Sequence, residues 1–157
     1  MPSWQYFTMI RLVYVSTCAN NVDFADIQSL LTVAERRNPE RGISGMLCWS
    51  GEFFLQCIEG DRAPVTQCFA RILSDKRHHS IELILSAPTS VRWFSQWGMG
   101  FSRMLSSHRN DLPAWSGGSF NPYLLEATEL EATFERLSDQ AQRIQGTPEA
   151  MLTSGPT

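Results

Sequence analysis

FFLQCIEG (residues 53–60) is the stretch that decides the fold of this chain. Its apolar and partly aromatic composition predicts a β-strand. Gln56 interrupts the apolar run, although glutamine is mostly found on protein surfaces and burying an amide without partners costs about 1–3 kcal/mol. Two interpretations follow from the stretch alone: an edge strand that leaves Gln56 in water, or a central strand whose buried amide serves a ligand.

Strands and helices alternate on both sides of this stretch, as the spacing of the apolar residues indicates. Asp23 is a suitable N-cap for the first helix, and the NPERG sequence at residues 38–42 is expected to end it, because Pro39 disfavours helix at the residue before it. In chain order, the predicted elements are a strand at residues 10–16, a helix at 24–37, strands at 43–49 and 53–58 joined as a hairpin, a helix at 64–75, a strand at 81–88 and a fifth strand within 93–104.

The order β-α-β-β-α-β-β predicts a ferredoxin-like α+β fold, with both helices on one face of a mixed sheet. In that topology the strands at residues 10–16 and 53–58 are central neighbours, which disfavours the edge interpretation of Gln56. Gln56 shares its face of the strand with the residues two positions before and after it, and the same alternation applies to Tyr14 on the first strand. Periodicity fits either phase, because both faces of the 53–58 strand are apolar, so it leaves open whether Tyr14 and Gln56 face the helices.

The composition is typical of a globular protein. At 157 residues, 43% of them hydrophobic, the chain is expected to form one domain with an appended segment. Its formal net charge is −3 without any basic block, which disfavours nucleic acid as a partner. No apolar run reaches the roughly 20 residues of a membrane helix, and the N-terminus does not resemble a signal peptide. Four cysteines without a CxxC pair fit a reducing, cytoplasmic location.

The C-terminal third differs in character from the rest. Residues 105–122 are expected to be a connector, because residues 112–122 are rich in Pro, Gly and Ser, and residues 146–157 a disordered tail. Between them, residues 123–145 predict an amphipathic helix, because apolar residues repeat at steps of four and three. This narrow seam is expected to dock on the sheet of the domain or on a partner. Its residues are Tyr123, Ala127, Leu130, Phe134, Leu137, Ala141 and Ile144.

The chain contains no GxGxxG, GxxxxGK[ST], GxSxG or HExxH motif. His78 and His79 are adjacent and would point to different faces, which disfavours a joint metal site and favours polar residues that end a helix. The predicted topology instead brings the hydrogen-bonding side chains of Tyr14, Asn38 and Gln56 to one region between the helices and the sheet. A flat heterocycle with a polar edge would satisfy them. The apolar space around it would come from Leu30, Leu31, Phe54 and Ile72.

From about residue 9 to residue 104 the chain resembles the BLUF family, the sensors of blue light that bind flavin. The matching segments are RLVYVS with Tyr14, RRNPERGISGMLCWSGEFFLQCIEG with Asn38 and Gln56, FARILSDKRHHSI, and FSQWGMGF with Trp97 and Met99. The resemblance implies a ferredoxin-like sensor domain, in agreement with the predicted element order, and a non-covalently bound FAD or FMN.

The resemblance also implies a role for each matching residue. Tyr14 would donate an electron to the excited flavin, Gln56 would switch its hydrogen bonds to the flavin edge, and Asn38 would hold the pyrimidine edge of the ring. Met99 and Trp97 would pass this change to the sheet and the C-terminal segment. The other residues expected at the flavin site are Leu30, Leu31, Ala34, Arg37, Phe54, Arg71, Ile72, Asp75 and His78.

A chain of this short type would be a photoreceptor without enzyme activity of its own. It would signal to a partner protein in trans or through a homo-oligomer, by its C-terminal helix or its sheet face; a light-independent flavin oxidoreductase is the alternative. The chain departs from the family pattern at Arg37, where relatives often carry Asn or His, and at Gly98, where Ser is usual. The glycine is expected to loosen the backbone between Trp97 and Met99.

Overall fold

The computed structural model of the protein describes residues 8–104, 114–116 and 119–145. The predicted tail and much of the predicted connector lie outside these residues. No helix in the described part of the chain is long and apolar enough to cross a membrane. In chain order, the elements are β1 (Met9–Cys18), α1 (Phe24–Glu40), β2 (Ser44–Trp49), β3 (Phe53–Asp61), α2 (Arg62–Leu73), β4 (His78–Pro88), β5 (Gly100–Arg103), β6 (Trp115–Ser116), β7 (Ser119–Phe120), two 3-10 turns (Pro122–Leu124 and Ala127–Glu129) and α3 (Leu130–Gln145).

Five strands form one mixed sheet in the order β4-β1-β3-β2-β5. β1 and β3 are antiparallel neighbours at its centre, and β5 runs parallel to β2 at one edge. Both α1 and α2 pack on the same face of this sheet. The predicted ferredoxin-like α+β fold is confirmed, and Gln56 lies on a central strand.

The register of the central pair decides the phase that periodicity left open. Tyr14 and Gln56 lie directly opposite each other across β1 and β3. Tyr14 packs with Ile27 of α1 and Val65 of α2, so this face of the sheet is the one that the two helices cover. The phenol and the amide are therefore buried together, at 3% and 5% exposure.

α3 covers the opposite face of the sheet. Leu130, Phe134 and Leu137 are at most 1% exposed, and they pack on residues of β2 and β3 that point away from α1 and α2. Those strand residues are Met46, Cys48, Leu55 and Cys57. Since both faces of β3 are buried, both are apolar, and for this reason side-chain alternation alone could not distinguish them.

α1 begins where predicted and ends later than predicted. Asp23 caps its start: Asp23 Oδ1 accepts from the Asp26 amide at 3.0 Å, and Asp26 Oδ2 accepts from the Asp23 amide at 2.9 Å. The predicted end at residue 37 is wrong, because the helix continues through Pro39 to Glu40. A proline in the last turn removes only one backbone donor, and the Asn38 carbonyl closes the turn by accepting two later backbone N–H groups.

The C-terminal helix begins at Leu130, so the prediction of a helix from residue 123 is wrong for its first turns. Side chains stabilise tighter turns there. Asn121 Oδ1 accepts from the backbone N–H of Tyr123 at 3.1 Å, and the Glu126 amide donates to Glu129 Oε1 at 2.9 Å. These local bonds favour two 3-10 turns ahead of the helix.

Candidate functional site

A cavity of about 340 Å³ opens between α1, α2 and the face of the sheet that these helices cover. Its volume lies within the range of about 300–1,000 Å³ that is typical of small-molecule sites. Side chains from β1, β2, β3 and both helices line it, as do residues that follow α2 and precede β5. Every element of the βαββαβ core thus contributes to one apolar space with a few polar groups.

A chain of hydrogen bonds forms the polar floor of this cavity. The Tyr14 hydroxyl donates to Gln56 Oε1, and Gln56 Nε2 donates to Met99 Sδ at 3.3 Å. Tyr14, Gln56 and Met99 are each no more than 5% exposed. Both ends of the amide therefore have protein partners, and its orientation is determined by a hydroxyl donor on one side and a sulfur acceptor on the other.

Burial raises the pKa of the Tyr14 phenol well above its ordinary value, and the nearby Cys68 and Asp75 raise it further. The phenol consequently remains protonated over the physiological pH range. Since the protonated hydroxyl is the donor to Gln56 Oε1, the same burial that raises the pKa also preserves this hydrogen bond.

Asn38 joins the end of α1 to the segment before β5. Its side chain is 6% exposed, and Asn38 Nδ2 donates to the Gly98 carbonyl at 2.8 Å. Gly98 lies between Trp97 and Met99. The hydrogen bond from Asn38 therefore connects the end of α1 to the residue before Met99, whose sulfur accepts from Gln56. The polar floor and α1 are therefore mechanically connected through Asn38.

His78 begins β4, so the expectation that it ends a helix is wrong. Its ring lies edge-on to the Tyr14 ring, at 6.0 Å between centroids, and edge-on to the Phe54 ring at 6.0 Å. His78 Nε2 lies 2.7 Å from the Ile72 carbonyl, which can only accept, so we assign Nε2 as the protonated nitrogen. Nδ1, 2.8 Å from Ser16 Oγ, then accepts from the serine hydroxyl. The ring is thereby oriented as one wall of the cavity.

Charged groups lie at the outer part of the cavity. The hydrogen bond from Arg77 holds the pKa of the Asp75 carboxyl below its ordinary value, and the Arg77 Nε to Asp75 Oδ1 distance is 2.9 Å. Arg37, Arg41 and Arg71 also line the cavity and are exposed. With four guanidinium groups against one carboxylate, this rim is electropositive and suited to phosphate groups.

Most residues predicted for the flavin site line this cavity, and Leu31 does not. Leu31 lies on the flank of α1 that packs against the core between helices and sheet. Trp97 also lies outside the lining: its ring stacks on Phe94, with 6.3 Å between centroids, beside the core that α3 covers. The predicted residues that do line the cavity are Tyr14, Leu30, Ala34, Arg37, Asn38, Phe54, Gln56, Arg71, Ile72, Asp75, His78 and Met99.

Six lining residues were not predicted from the sequence. Ser29 and Val33 precede Arg37 by eight and four positions, so helical spacing could have identified them. Cys68 belongs to α2 at three positions before Arg71, and the same rule applies; burial raises the pKa of its thiol, which serves as a neutral wall. The full set is Ser29, Val33, Arg41, Leu47, Cys68 and Arg77.

The residues present fit a flavin ring. A flat heteroaromatic group requires an apolar slot with polar partners along one edge, and the cavity combines walls from Leu30, Ile72 and Phe54 with the buried amides of Asn38 and Gln56. A group of three or more metal-ligating side chains is absent from the residues that the structure describes.

Comparison with known proteins points to one family. A family model described as "BLUF: Sensors of blue-light using FAD" matches residues 9–100. The chain is 36% identical over 98 residues to the photoactivated adenylate cyclase subunit beta of Euglena gracilis, a match that covers 60% of this chain and 11% of that protein. It is 28% identical over 104 residues to the blue light- and temperature-regulated antirepressor BluF of Escherichia coli K12, with 66% of this chain and 26% of that protein covered.

A solved structure titled BlsA photo-activated state superposes with a TM-score of 0.75 at 27% sequence identity, covering 82% of this chain and 94% of that one. The curated relatives are much longer: the aligned segment is about a tenth of the cyclase subunit, 11% of its length. The residues matched by the family model, 9–100, include every residue that lines the cavity.

Proposed function

This chain belongs to the BLUF family of blue-light sensors, and from that premise we propose that it is a photoreceptor in which flavin occupies the cavity between α1 and α2. The observation that carries the proposal is the buried series of hydrogen bonds from Tyr14 through Gln56 to Met99. Residues 9–104 would form the sensor, and the segment from residue 105 onward its C-terminal extension.

Flavin bound in the cavity supplies absorption of blue light and an excited ring that accepts an electron. Tyr14 would donate that electron and later regain it, and its phenolic proton already points at Gln56 Oε1. Turning the Gln56 amide exchanges Oε1 and Nε2, so Met99 Sδ would face an oxygen instead of the N–H that it now accepts. Two acceptors repel each other, and Met99 must therefore move when the amide turns. Light absorption is thereby converted into displacement of the segment that precedes β5.

We propose FAD rather than FMN as the bound flavin. Asn38 would hold the ring together with Gln56, and the walls already described would exclude water from it. The exposed guanidinium groups of Arg41 and Arg71 at the rim suit a diphosphate better than a single phosphate. Chromatography of the flavin released from the purified protein distinguishes the two cofactors.

The first test uses light. The protein purified in darkness should be yellow, and blue light should shift its flavin absorption reversibly to the red. A protein that is bleached by a nicotinamide reductant, and that shows no shift in light, would instead be a light-independent oxidoreductase.

The second test removes the amide. Gln56→Leu retains the volume of the side chain, so flavin should remain bound while the red shift is lost. Tyr14→Phe removes the electron donor's hydroxyl and should abolish the normal photocycle as well. Gln96→Leu makes the same chemical change at an exposed position and is the matched control. A normal red shift in Gln56→Leu would contradict the proposed role of the amide.

The output is a contact with another protein in trans or within a homo-oligomer, in a cytoplasmic setting. Leu130, Phe134 and Leu137 of α3 are already buried on the chain's own sheet. A partner would therefore bind the outward face of α3, where Glu131 and Glu135 are exposed, or the β4 edge, where Leu83 is 54% exposed. A protein that co-purifies in darkness and is released by blue light, or the reverse, would identify the partner.

A further inference from the structure

The segment from residue 97 to residue 100 passes very close to the end of α1. A Cβ placed on Gly98 would lie 2.8 Å from Pro39 Cδ, 2.9 Å from Pro39 Cγ and 3.2 Å from the Glu35 carbonyl oxygen. Side-chain carbons almost never approach other atoms to less than 3.0 Å. Gly98 does not adopt a left-handed backbone conformation, so lack of space alone, and not backbone strain, excludes a side chain there.

This contact corrects the expectation that Gly98 loosens the backbone. The pyrrolidine ring of Pro39 occupies the space that a side chain at residue 98 would need. Pro39 is a stiff partner, because its ring restricts φ. The backbone of Gly98 is also restrained by the hydrogen bond from Asn38 Nδ2 at 2.8 Å, and its neighbour Trp97 by the Gly45 amide, which donates to the Trp97 carbonyl at 3.2 Å.

Met99 follows directly and contacts the polar floor of the cavity. Its sulfur accepts the hydrogen bond from Gln56 Nε2, and its side chain is 1% exposed. The position of Met99 Sδ therefore depends on where the backbone of residue 98 rests, and the ring of Pro39 limits that position on the side of α1.

We propose that Pro39 and Gly98 are a complementary pair of positioning residues that holds Met99 Sδ under the Gln56 amide and so sets the lifetime of the light-induced state. The kinetic part of this proposal rests on the proposed photoreceptor function. The steric part concerns only the chain's own residues and can be measured in darkness.

A larger residue 98 and a smaller residue 39 should each displace Met99. Gly98→Ala places a methyl group against the Pro39 ring and pushes the segment away from α1. Pro39→Ala removes Cγ and Cδ and leaves a gap of similar size. Each single change misplaces Met99, whereas Pro39→Ala combined with Gly98→Ala fills the gap with the new methyl group, a volume-conserving exchange of the kind that packed sites tolerate best.

The experiment compares these three variants with the unaltered protein. In the dark, the methyl signal of Met99 in a protein labelled with [13C-methyl]methionine should move in each single variant and return in the double variant. Thermal recovery after blue light should slow by about three- to tenfold in Gly98→Ala, the equivalent of losing one net hydrogen bond, and less in Pro39→Ala. The double variant should recover within about twofold of the unaltered protein. Ser95→Ala, an exposed position of the same segment, should change neither readout.

Each result decides the proposal. An unmoved Met99 signal in Gly98→Ala, or effects of the two single changes that simply add in the double variant, would overturn it. If Gly98→Ala fails to fold, the double variant decides. A folded double variant with a normal Met99 signal supports the pair, and a double variant that does not fold refutes it. Absence of a red shift in the unaltered protein would refute the photoreceptor function, while the Met99 signal would still test the contact.

Discussion

Glu59 on β3 provides a demanding test of how the segment before β5 is anchored. Its side chain is completely buried, and its carboxylate accepts from Arg11 Nε at 3.0 Å and from the backbone amides of Trp93 at 2.7 Å and Phe94 at 2.8 Å. The Arg11 guanidinium also lies 3.7 Å above the centre of the Trp93 ring. This ion pair therefore attaches the start of the segment that carries Trp97 to the same strand that carries Gln56.

Arg11→Met removes the positive charge and retains an apolar side chain of similar length. Breaking a buried ion pair typically costs 3–5 kcal/mol, because the remaining charge is left unpaired, so roughly this range applies here. Glu59 retains two backbone donors, and Arg11 is 11% exposed, so water can partly replace its charge. We therefore expect the free energy of unfolding to fall by about 3 kcal/mol, the lower end of that range.

Urea unfolding followed by tryptophan fluorescence measures this change. With an m-value of about 2 kcal/mol/M, a loss of about 3 kcal/mol lowers the midpoint by about 1.5 M. Arg36→Met, at an exposed position of α1, removes the same charge and should change stability by less than about 0.5 kcal/mol.

A second variant tests whether the unpaired charge of Glu59 causes the loss of stability in Arg11→Met. Glu59→Gln added to Arg11→Met removes the unpaired charge but keeps an oxygen acceptor for only one of the two backbone amides, which now donate to different oxygens of Glu59. The double variant should therefore be more stable than Arg11→Met by about 1 kcal/mol, less than the full cost of the broken ion pair. A double variant no more stable than the single one, or a midpoint for Arg11→Met within about 0.3 M of the original, would refute the reasoning.

Two further predictions concern α3 and Tyr14. Phe134 is 1% exposed and its ring contacts Trp93 and Phe94, so Phe134→Ala should lower the free energy of unfolding by about 3–5 kcal/mol in the same urea assay; an unchanged midpoint would mean that α3 is not docked on the sheet in solution. Because burial raises the pKa of Tyr14, the folded chain retains this proton above pH ~10, where the unfolded chain releases it, and stability should fall as pH rises past that value. Ultraviolet titration of the folded protein around pH 10 should accordingly give the same tyrosinate signal in the unaltered protein and in Tyr14→Phe. A smaller signal in Tyr14→Phe would mean that Tyr14 ionises in this range, which would contradict the raised pKa.

The sequence alone determined the order of the five strands and two helices of the domain and their connections. Local features were sufficient for these: the cap at Asp23, the hairpin between β2 and β3, and the alternation of strand and helix spacing. The connections then implied that β1 and β3 are central neighbours, which placed Tyr14 and Gln56 on adjacent strands. Chemistry could be inferred from there, because a buried amide and a buried phenol require partners.

Only the tertiary structure decided what depends on contacts between distant residues. It showed on which face of the sheet Tyr14 and Gln56 lie. The strand pattern could not show this, because α3 buries the other face and both faces are therefore apolar. It assigned His78 to a strand and to a wall of the cavity. It also showed that Gly98 is small because Pro39, 59 residues earlier in the chain, occupies the adjacent space. Periodicity describes each segment along its own axis, whereas packing depends on the shapes of segments that are far apart in sequence, and for that physical reason these contacts could not be predicted from the sequence.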